Sequence, residues 1–229
     1  MAGATIVAAV SASMWFWFTP VGVNNYVNKV TFKLAIDSPE LLTYLGFIDN
    51  TPLDFHSGKL ADYTKEKEER GIAELQAARA GLDAYGPQGL TGQELLTWKI
   101  AAWFFDDLLR QAELRYSGYR VNQISGVTVN LPQFLTDTHV IKNKKSVQRY
   151  LSRLAEFGRV LRETHERVID DRANGVIPPD FVIEKALVGM NKFIADGAAG
   201  SPLVTTLGPK LESLEDVDNV TASKFMTEA

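Results

Sequence analysis

The chain contains no cysteine and little histidine. The absence of cysteine from its 229 residues excludes disulfides, thiolate zinc sites, iron–sulfur clusters and cysteine nucleophiles. Its three histidines are His56, His139 and His165, so an all-histidine metal site would need every one of them. The charge is nearly balanced, with 24 Lys and Arg against 28 Asp and Glu. Nucleic acid is therefore not expected as a partner, because proteins that bind the phosphate backbone normally carry an excess of basic residues.

The common motifs of self-contained active sites are also missing. The sequence has no G-x-S-x-G elbow, no P-loop and no G-x-G-x-x-G motif. His165 and Glu166 begin like the zinc motif H-E-x-x-H, but Ile169 stands where the second histidine is required. A 45% share of hydrophobic residues is nevertheless enough for a folded core. Composition and spacing thus predict a folded domain without a metal site of its own.

The first residues of the chain form an apolar run. Residues 2–18 carry no charge, and the first charged side chain is that of Lys29. At about 1.5 Å per residue this run would extend about 25 Å, close to the ~30 Å of a hydrocarbon core. Trp15 and Trp17 lie where an interfacial aromatic belt is expected. We expect residues 1–23 to be an uncleaved signal anchor or a signal peptide, with a buried core helix as the alternative. The protein would then be membrane-anchored and face the periplasm or the cell exterior.

Helix signals dominate residues 24–229. Pro39 follows Ser38 at a predicted first helical position, and Thr91 and Glu94 fit a capping box. Apolar residues recur at three- and four-residue steps between 146 and 174, and Gly175 is a plausible left-handed stop. We therefore predict an all-α, multi-helix domain.

One segment, around residues 116–145, breaks the helical periodicity with Gly, Asn, Pro and Thr. Residues 127–129 could be briefly extended there. Long irregular segments inside helical domains are often functional, so this segment is where we expect a binding site.

Two groups of apolar residues in the C-terminal part of the chain lead to opposite predictions, one of burial and one of exposure. In the helix predicted after Pro179, the side chains of Phe181, Leu187, Met190 and Phe193 are expected to face inward. The later apolar residues are instead expected to form a surface awaiting a partner. They are Leu203, Val204, Leu207, Leu211, Leu214, Phe225 and Met226.

Three blocks of sequence carry a family resemblance. The first is Tyr119–Leu135, YRVNQISGVTVNLPQFL, followed by His139; the second is Tyr150–Leu154, and the third is Gly175–Val182. Their order and spacing resemble those of the DUF885 family, as do the upstream segments Asp37–Glu40 and Leu53–His56. The resemblance covers nearly the whole chain after the predicted anchor.

This resemblance implies a mostly helical, extracytoplasmic protein related to the gluzincin-like zinc peptidases. The family's H-E-x-x-P-G-H-type helix, with its metal ligands and catalytic glutamate, would lie downstream of the residues present here. The chain would then be the incomplete half of a larger helical metallopeptidase-like fold, and the missing C-terminal catalytic portion would be its partner. Zinc is expected in a full-length relative and no cofactor in this chain.

The resemblance also selects candidate residues for binding a peptide-like substrate. They are Tyr119, Asn122, Gln123, Asn130 and His139, because amides suit peptide backbone by offering both a donor and an acceptor. No catalytic and no metal-binding residue is predicted. The alternative is that the amides satisfy the backbone groups of their own loop.

Two classes of function remain open from the sequence. The chain is either the N-terminal part of a membrane-anchored zinc metallohydrolase of peptidase type, inactive alone, or a stand-alone helical module that binds a peptide or a scaffold partner.

Overall fold

The structure is a computed structural model, and it describes residues 21–229. These residues are helical and contain no strand, which confirms the all-α prediction. Residues 1–20 of the predicted anchor lie outside the described part, so the anchor stays a prediction. None of the helices within 21–229 is long and apolar enough to cross a membrane.

Eleven α-helical segments and one π-helical turn follow one another in the described part. They are α1 (Val23–Ile36), α2 (Pro39–Leu45), α3 (Lys65–Asp83), α4 (Gly92–Glu113), α5 (Val127–Gln133), the π turn (Phe134–Thr138), α6 (Lys144–Ala173), α7 (Asp180–Ile194), α8 (Gly197–Gly200), α9 (Pro202–Thr205), α10 (Leu207–Glu212) and α11 (Asn219–Glu228).

The helices divide into two compact units. Residues 21–37 and 68–115 form the first unit, and residues 38–67 and 116–229 form the second. In the first unit, an apolar core includes Val30, Leu82 and Phe105, from α1, α3 and α4 respectively. The Tyr26 hydroxyl donates to the carbonyl of Ala78 over 2.8 Å, which joins α1 to α3 at their contact.

The second unit is organised by α6, which extends about 45 Å at 1.5 Å per residue. Its start is fixed by a capping box, in which Asn143 and Ser146 each accept a hydrogen bond from the other's backbone amide. At its end Gly175 has φ 81°, and the amide of Val176 donates to Asp171 O over 2.9 Å. This left-handed glycine stop confirms the predicted end of the helix.

Arginines on α6 hold the irregular chain between α2 and α3. Arg149 donates to the backbone carbonyl of Asp54 over 2.8 Å, and Arg159 donates to that of Ala61 over 3.2 Å. A segment without regular structure must find partners for its carbonyls. The charged side chains of α6 supply several of them.

The C-terminal apolar residues are part of the second unit's own core, contrary to the sequence prediction. Leu203, Leu207, Leu211 and Phe225 are buried together with Tyr150. The short helices α9, α10 and α11 fold back so that these side chains meet α6 and the π turn. Short apolar helices carry no sequence pattern that would predict that the chain folds back onto its own core.

The prediction for α7 was wrong, in the opposite sense, for Phe181 and Leu187. Phe181 and Leu187 are exposed by 56% and 49% of their surfaces, while Met190 and Phe193 are only partly buried. The small side chain of Ala186, together with Val182, makes the buried contact instead. Because α7 makes its buried contact through the face that carries Ala186, the larger side chains of Phe181 and Leu187 lie toward the outside.

The segment predicted to be irregular is only partly so. Residues 127–129 begin helix α5 rather than an extended stretch, and the π turn continues from it. Pro132 lies inside α5, where it lacks an N–H for the helical hydrogen bond. The parts around 117–126 and 139–143 have no helix.

Candidate functional site

Asn122 organises the loop before α5. Its Oδ1 accepts hydrogen bonds from the amides of Ile124 and Ser125, each at 2.8 Å, and its Nδ2 donates to the carbonyl of Tyr119 over 2.9 Å. These bonds follow the pattern in which a loop amide satisfies nearby backbone groups. The side chain of Asn122 is thus largely engaged within its own loop.

Helix α5 separates two cavities in the second unit. Val127, Asn130 and Leu131 line one of them, and Thr128, Val129 and Pro132 line the other. Positions three and four apart share one face of a helix, so the two sets point to opposite sides. The family-like block Tyr119–Leu135 therefore contributes to the walls of both cavities.

The first cavity, called the polar cavity here, has a volume of about 280 Å³. Its polar lining comes from four parts of the second unit: helix α2, the chain before α3, the block around α5, and α6. The side chains that carry this polar character are those of Glu40, Tyr63, Arg120, Asn130, Thr164 and Arg167.

Ion pairs border the polar cavity at the C-terminal end of α6. Arg120 Nε donates to Asp171 Oδ2 over 2.8 Å, and the Asp171 side chain is almost fully buried. Lys65 Nζ lies 2.7 Å from Asp170 Oδ1, and Asp170 also accepts from the Tyr116 hydroxyl over 2.9 Å. Hydrogen bonding to Lys65 lowers the pKa of Asp170, so this carboxylate stays ionised.

Glu40 and Tyr63 also line the polar cavity. Glu40 Oε1 accepts from the amide of Ala61 over 2.9 Å, and the Glu40 carboxylate also accepts a hydrogen bond from the Tyr63 hydroxyl. Burial, together with the neighbouring Glu40 carboxylate, raises the pKa of Tyr63 to about 12. The Tyr63 hydroxyl is therefore a donor at neutral pH.

The second cavity, called the apolar cavity here, has a volume of about 310 Å³ and lies between α5 and α7. Val129, Pro132, Met190 and Phe193 are among its lining residues. Gln123 also lines it, and the buried Gln123 Oε1 has no hydrogen-bond partner in the described part of the chain. A buried amide oxygen of this kind suits an incoming N–H donor.

The candidate residues are distributed over different places. Asn130 lines the polar cavity and Gln123 the apolar cavity. Asn130 Nδ2 also donates to the carbonyl of Ser125 over 2.9 Å. Tyr119 is 40% exposed, and neither it nor Asn122 lines either cavity.

His139 is buried and lines neither cavity. Its Nδ1 is 2.9 Å from an Nη atom of Arg153, and its Nε2 is 3.1 Å from the carbonyl oxygen of Ser146. A carbonyl can only accept, so Nε2 carries the proton and Nδ1 accepts from Arg153. Burial, followed by the charge of Arg153, lowers the pKa of His139 to about 4. The imidazole is therefore neutral at physiological pH.

Arg153 connects His139 to several segments of the second unit. Its fully buried side chain donates to the carbonyl of Lys59 over 2.9 Å and to the Thr43 hydroxyl over 2.8 Å, and it lies over the ring of Phe134. Burial lowers the pKa of Arg153 to about 10, which leaves it charged at neutral pH. This contact set gives His139 a role in the core.

Sequence reasoning missed Glu40, Tyr63, Arg120 and Arg167. Glu40 and Arg120 both lie in the family-like segments, yet neither has an amide side chain, the type that accounted for three of the five candidates. Thr164 and Arg167 follow the buried Val160 at helical spacing on α6. The sequence could have indicated them, because these polar residues lie on the same face of the helix as its apolar core residues.

The described residues do not form a metal site. Within 21–229, no group of three or more His, Cys, Asp or Glu side chains could hold a metal ion. The described residues therefore do not by themselves fit a zinc centre.

A family model described as "Bacterial protein of unknown function (DUF885)" matches residues 39–227. The chain belongs to the DUF885 family. The resemblance inferred from the three sequence blocks is thereby confirmed, and both cavities lie within the matched region. No curated protein sequence matches this DUF885 chain.

A solved structure has a similar fold. It is the crystal structure of a candidate lipoprotein from Colwellia psychrerythraea, with a TM-score of 0.74 and 17% sequence identity. The match covers 90% of this chain but 37% of the other. This DUF885 chain thus spans little more than a third of the structure that it resembles.

Proposed function

We propose that this chain is the N-terminal part of an extracytoplasmic, membrane-anchored metallohydrolase of peptidase type, in which it forms one wall of the substrate cleft. The observation that carries the proposal is the position of the block Tyr119–Leu135, which contributes to two cavities at once. The partial coverage of the similar structure supports the view that further chain completes the cleft. Zinc would be bound by that further chain, and no step here depends on it.

The exposed apolar face of α7 supports the proposal that another part of the protein packs against this chain. Phe181, Val188 and Ile194 are each more than half exposed. Exposed apolar groups of this kind are common at interfaces with another domain or subunit. In this proposal the catalytic portion covers them.

A second candidate function is a stand-alone helical binding module. The observation that favours it is the burial of Leu207, Leu211 and Phe225 in the chain's own core. The C-terminal helices then need no partner to cover them.

Hydrolysis assays separate the two candidates. The 229-residue chain alone should not cleave a fluorogenic peptide library, whereas a longer protein that continues through an H-E-x-x-x-x-H helix should do so in a chelator-sensitive way. Turnover by the chain alone, or an inactive longer protein that has bound stoichiometric zinc, would contradict the proposal.

A pair of variants then tests whether this chain forms a wall of the substrate cleft. In the active longer protein, Gln123→Ala should raise KM for peptide by roughly tenfold, because a buried acceptor for substrate is lost. Gln148→Ala, an exposed change on α6, is the matched control and should leave KM unchanged.

A further inference from the structure

The apolar cavity owes its space to small residues on α7. Ala186 and Gly189 lie on one face of that helix, with Met190 and Phe193 at helical spacing, and all four line the cavity. A Cβ placed on Gly189 would meet no neighbouring atom of the described residues within 4 Å. The two small residues therefore leave open a volume between α5 and α7 that larger side chains would fill.

The walls of this cavity are mostly apolar and carry little charge. Val129 and Pro132 close it on the side of α5, opposite the apolar face of α7. Within the lining formed by residues 21–229, Lys185 is the one charged residue, and its ammonium lies over the Phe181 ring, 5.8 Å from the ring centroid. A charged ligand would lose its hydration here with little compensation. We therefore expect the occupant of the cavity to be uncharged.

Gln123 offers one specific polar contact in this apolar setting. Its Oε1 is buried and accepts no hydrogen bond from residues 21–229. A buried acceptor without a donor is unfavourable, and a ligand that supplies an N–H satisfies it. The hydroxyl of Thr136, another lining residue, already donates to the Asp137 carboxylate over 2.8 Å. Gln123 Oε1 is therefore an acceptor that a ligand in this cavity can satisfy.

The volume of the apolar cavity, about 310 Å³, sets the size of the ligand. An apolar cavity of about 150 Å³ is enough to hold benzene, and small-molecule sites begin at about 300 Å³. A ring-sized apolar group and one amide therefore fit together, whereas a folded partner does not.

We infer that the apolar cavity is a subsite for one apolar or aromatic residue of a peptide-like ligand. The side chain of that residue lies between α5 and α7, and an amide N–H of the ligand donates to Gln123 Oε1. The inference deepens the proposed function, on which it rests for the peptide nature of the ligand. The lining residues all belong to the second unit, so binding can be measured on this chain alone.

Three uncharged probes separate the apolar contact from the N–H contact in NMR titrations of the 229-residue chain. N-benzylacetamide, with a ring and an N–H, should bind saturably at millimolar concentration or below. Benzyl acetate, in which an oxygen replaces the N–H, should bind roughly tenfold more weakly. N-methylacetamide, which has the N–H but no ring, should show no saturation in the same range. Equal affinities of the first two probes, or no saturable binding of the first, would overturn the inference.

Two substitutions locate the binding. Gln123→Met keeps the length of the side chain but removes the acceptor, so it should weaken N-benzylacetamide roughly tenfold and leave benzyl acetate unchanged. Gly189→Leu fills the cavity and should abolish the binding of both probes. Gly71→Leu, the same change in α3 of the first unit, is the matched control, because a Cβ there also meets nothing within 4 Å. It should change neither affinity.

The thermal transition of each variant checks its folding. Gly189→Ala or Gln123→Ala replaces a variant that does not fold, with the same direction of effect expected. Wild-type affinity in a folded Gly189 variant, or an unchanged preference for N-benzylacetamide in a folded Gln123 variant, would show that the probes bind elsewhere and overturn the inference. An inactive longer protein would leave an N–H-selective site standing, and equal binding of the first two probes would leave the peptidase proposal standing, so the two failures can be told apart.

Discussion

The two units of the chain build their interiors differently. In the first unit, three helices pack mainly through apolar side chains such as Val30, Leu82 and Phe105. In the second unit, fully buried Arg153 and buried His139 lie among apolar residues and hold irregular chain to α6. Helices satisfy their own backbone groups, whereas loops need side chains to do so. A polar interior therefore accompanies the irregular chain of the second unit.

The strongest test of this difference removes the buried guanidinium. Arg153→Met should lower the free energy of unfolding by about 3–5 kcal/mol, because the partners of the charge are left buried and unsatisfied. Denaturant titration of the full chain measures it. Arg162→Met, at an exposed position of the same helix, should stay within about 0.5 kcal/mol of wild type. Equal effects of the two changes would mean that the network contributes little.

The pH dependence of the second unit should follow His139. Its pKa falls from the ordinary 6.5 to about 4 on folding, so between these values the unfolded chain takes up a proton that the folded chain does not. The free energy of unfolding should therefore fall as the pH drops through this window, by about 3 kcal/mol at 1.36 kcal/mol per unit.

Denaturant titrations at several pH values, with His139→Gln beside wild type, check this contribution. The variant should have lost that part of the slope, while the exposed His165→Gln keeps it. An unchanged slope in His139→Gln would show that another group titrates.

In the first unit the sensitive feature is a close approach between helices. A Cβ at Gly81 would lie 2.1 Å from the Tyr26 hydroxyl oxygen, so Gly81→Ala should break the hydrogen bond to Ala78 and lower stability by about 1–2 kcal/mol. Gly71→Ala on the same helix meets nothing within 4 Å and should raise stability by up to about 1 kcal/mol. Thermal unfolding compares them, and stabilisation by both changes would contradict the predicted clash.

The smallest expected effect on stability is the difference between substitutions at the N-caps of two helices. Asn143→Ala removes a formed capping box and should cost about 1 kcal/mol. Thr91→Ala should cost only a few tenths of a kcal/mol, because α4 begins after Thr91 but no side-chain capping bond is formed there. Chemical denaturation resolves the difference; a larger loss at Thr91 would show that its cap forms in solution.

One segment of the candidate site could be predicted from the sequence, but most of its charged residues and its shape could not. The block Tyr119–Leu135 was chosen from its sequence, and it does border both cavities. Its amides attracted attention, yet Asn122 is engaged within its own loop, and His139 lies in the core. The residues that give the polar cavity its charge, Glu40 and Arg167, come from segments distant in sequence, so no local pattern could join them.

The sequence by itself determined the helices α3, α4, α6 and α7, the glycine stop of α6 and the family, because helix periodicity and glycine stops are local properties and the family blocks are linear. Only the tertiary structure decided which apolar faces are covered and which polar side chains meet. Leu207 turned inward and Phe181 outward because burial depends on how closely other helices approach. That approach is set by contacts between residues far apart in the chain.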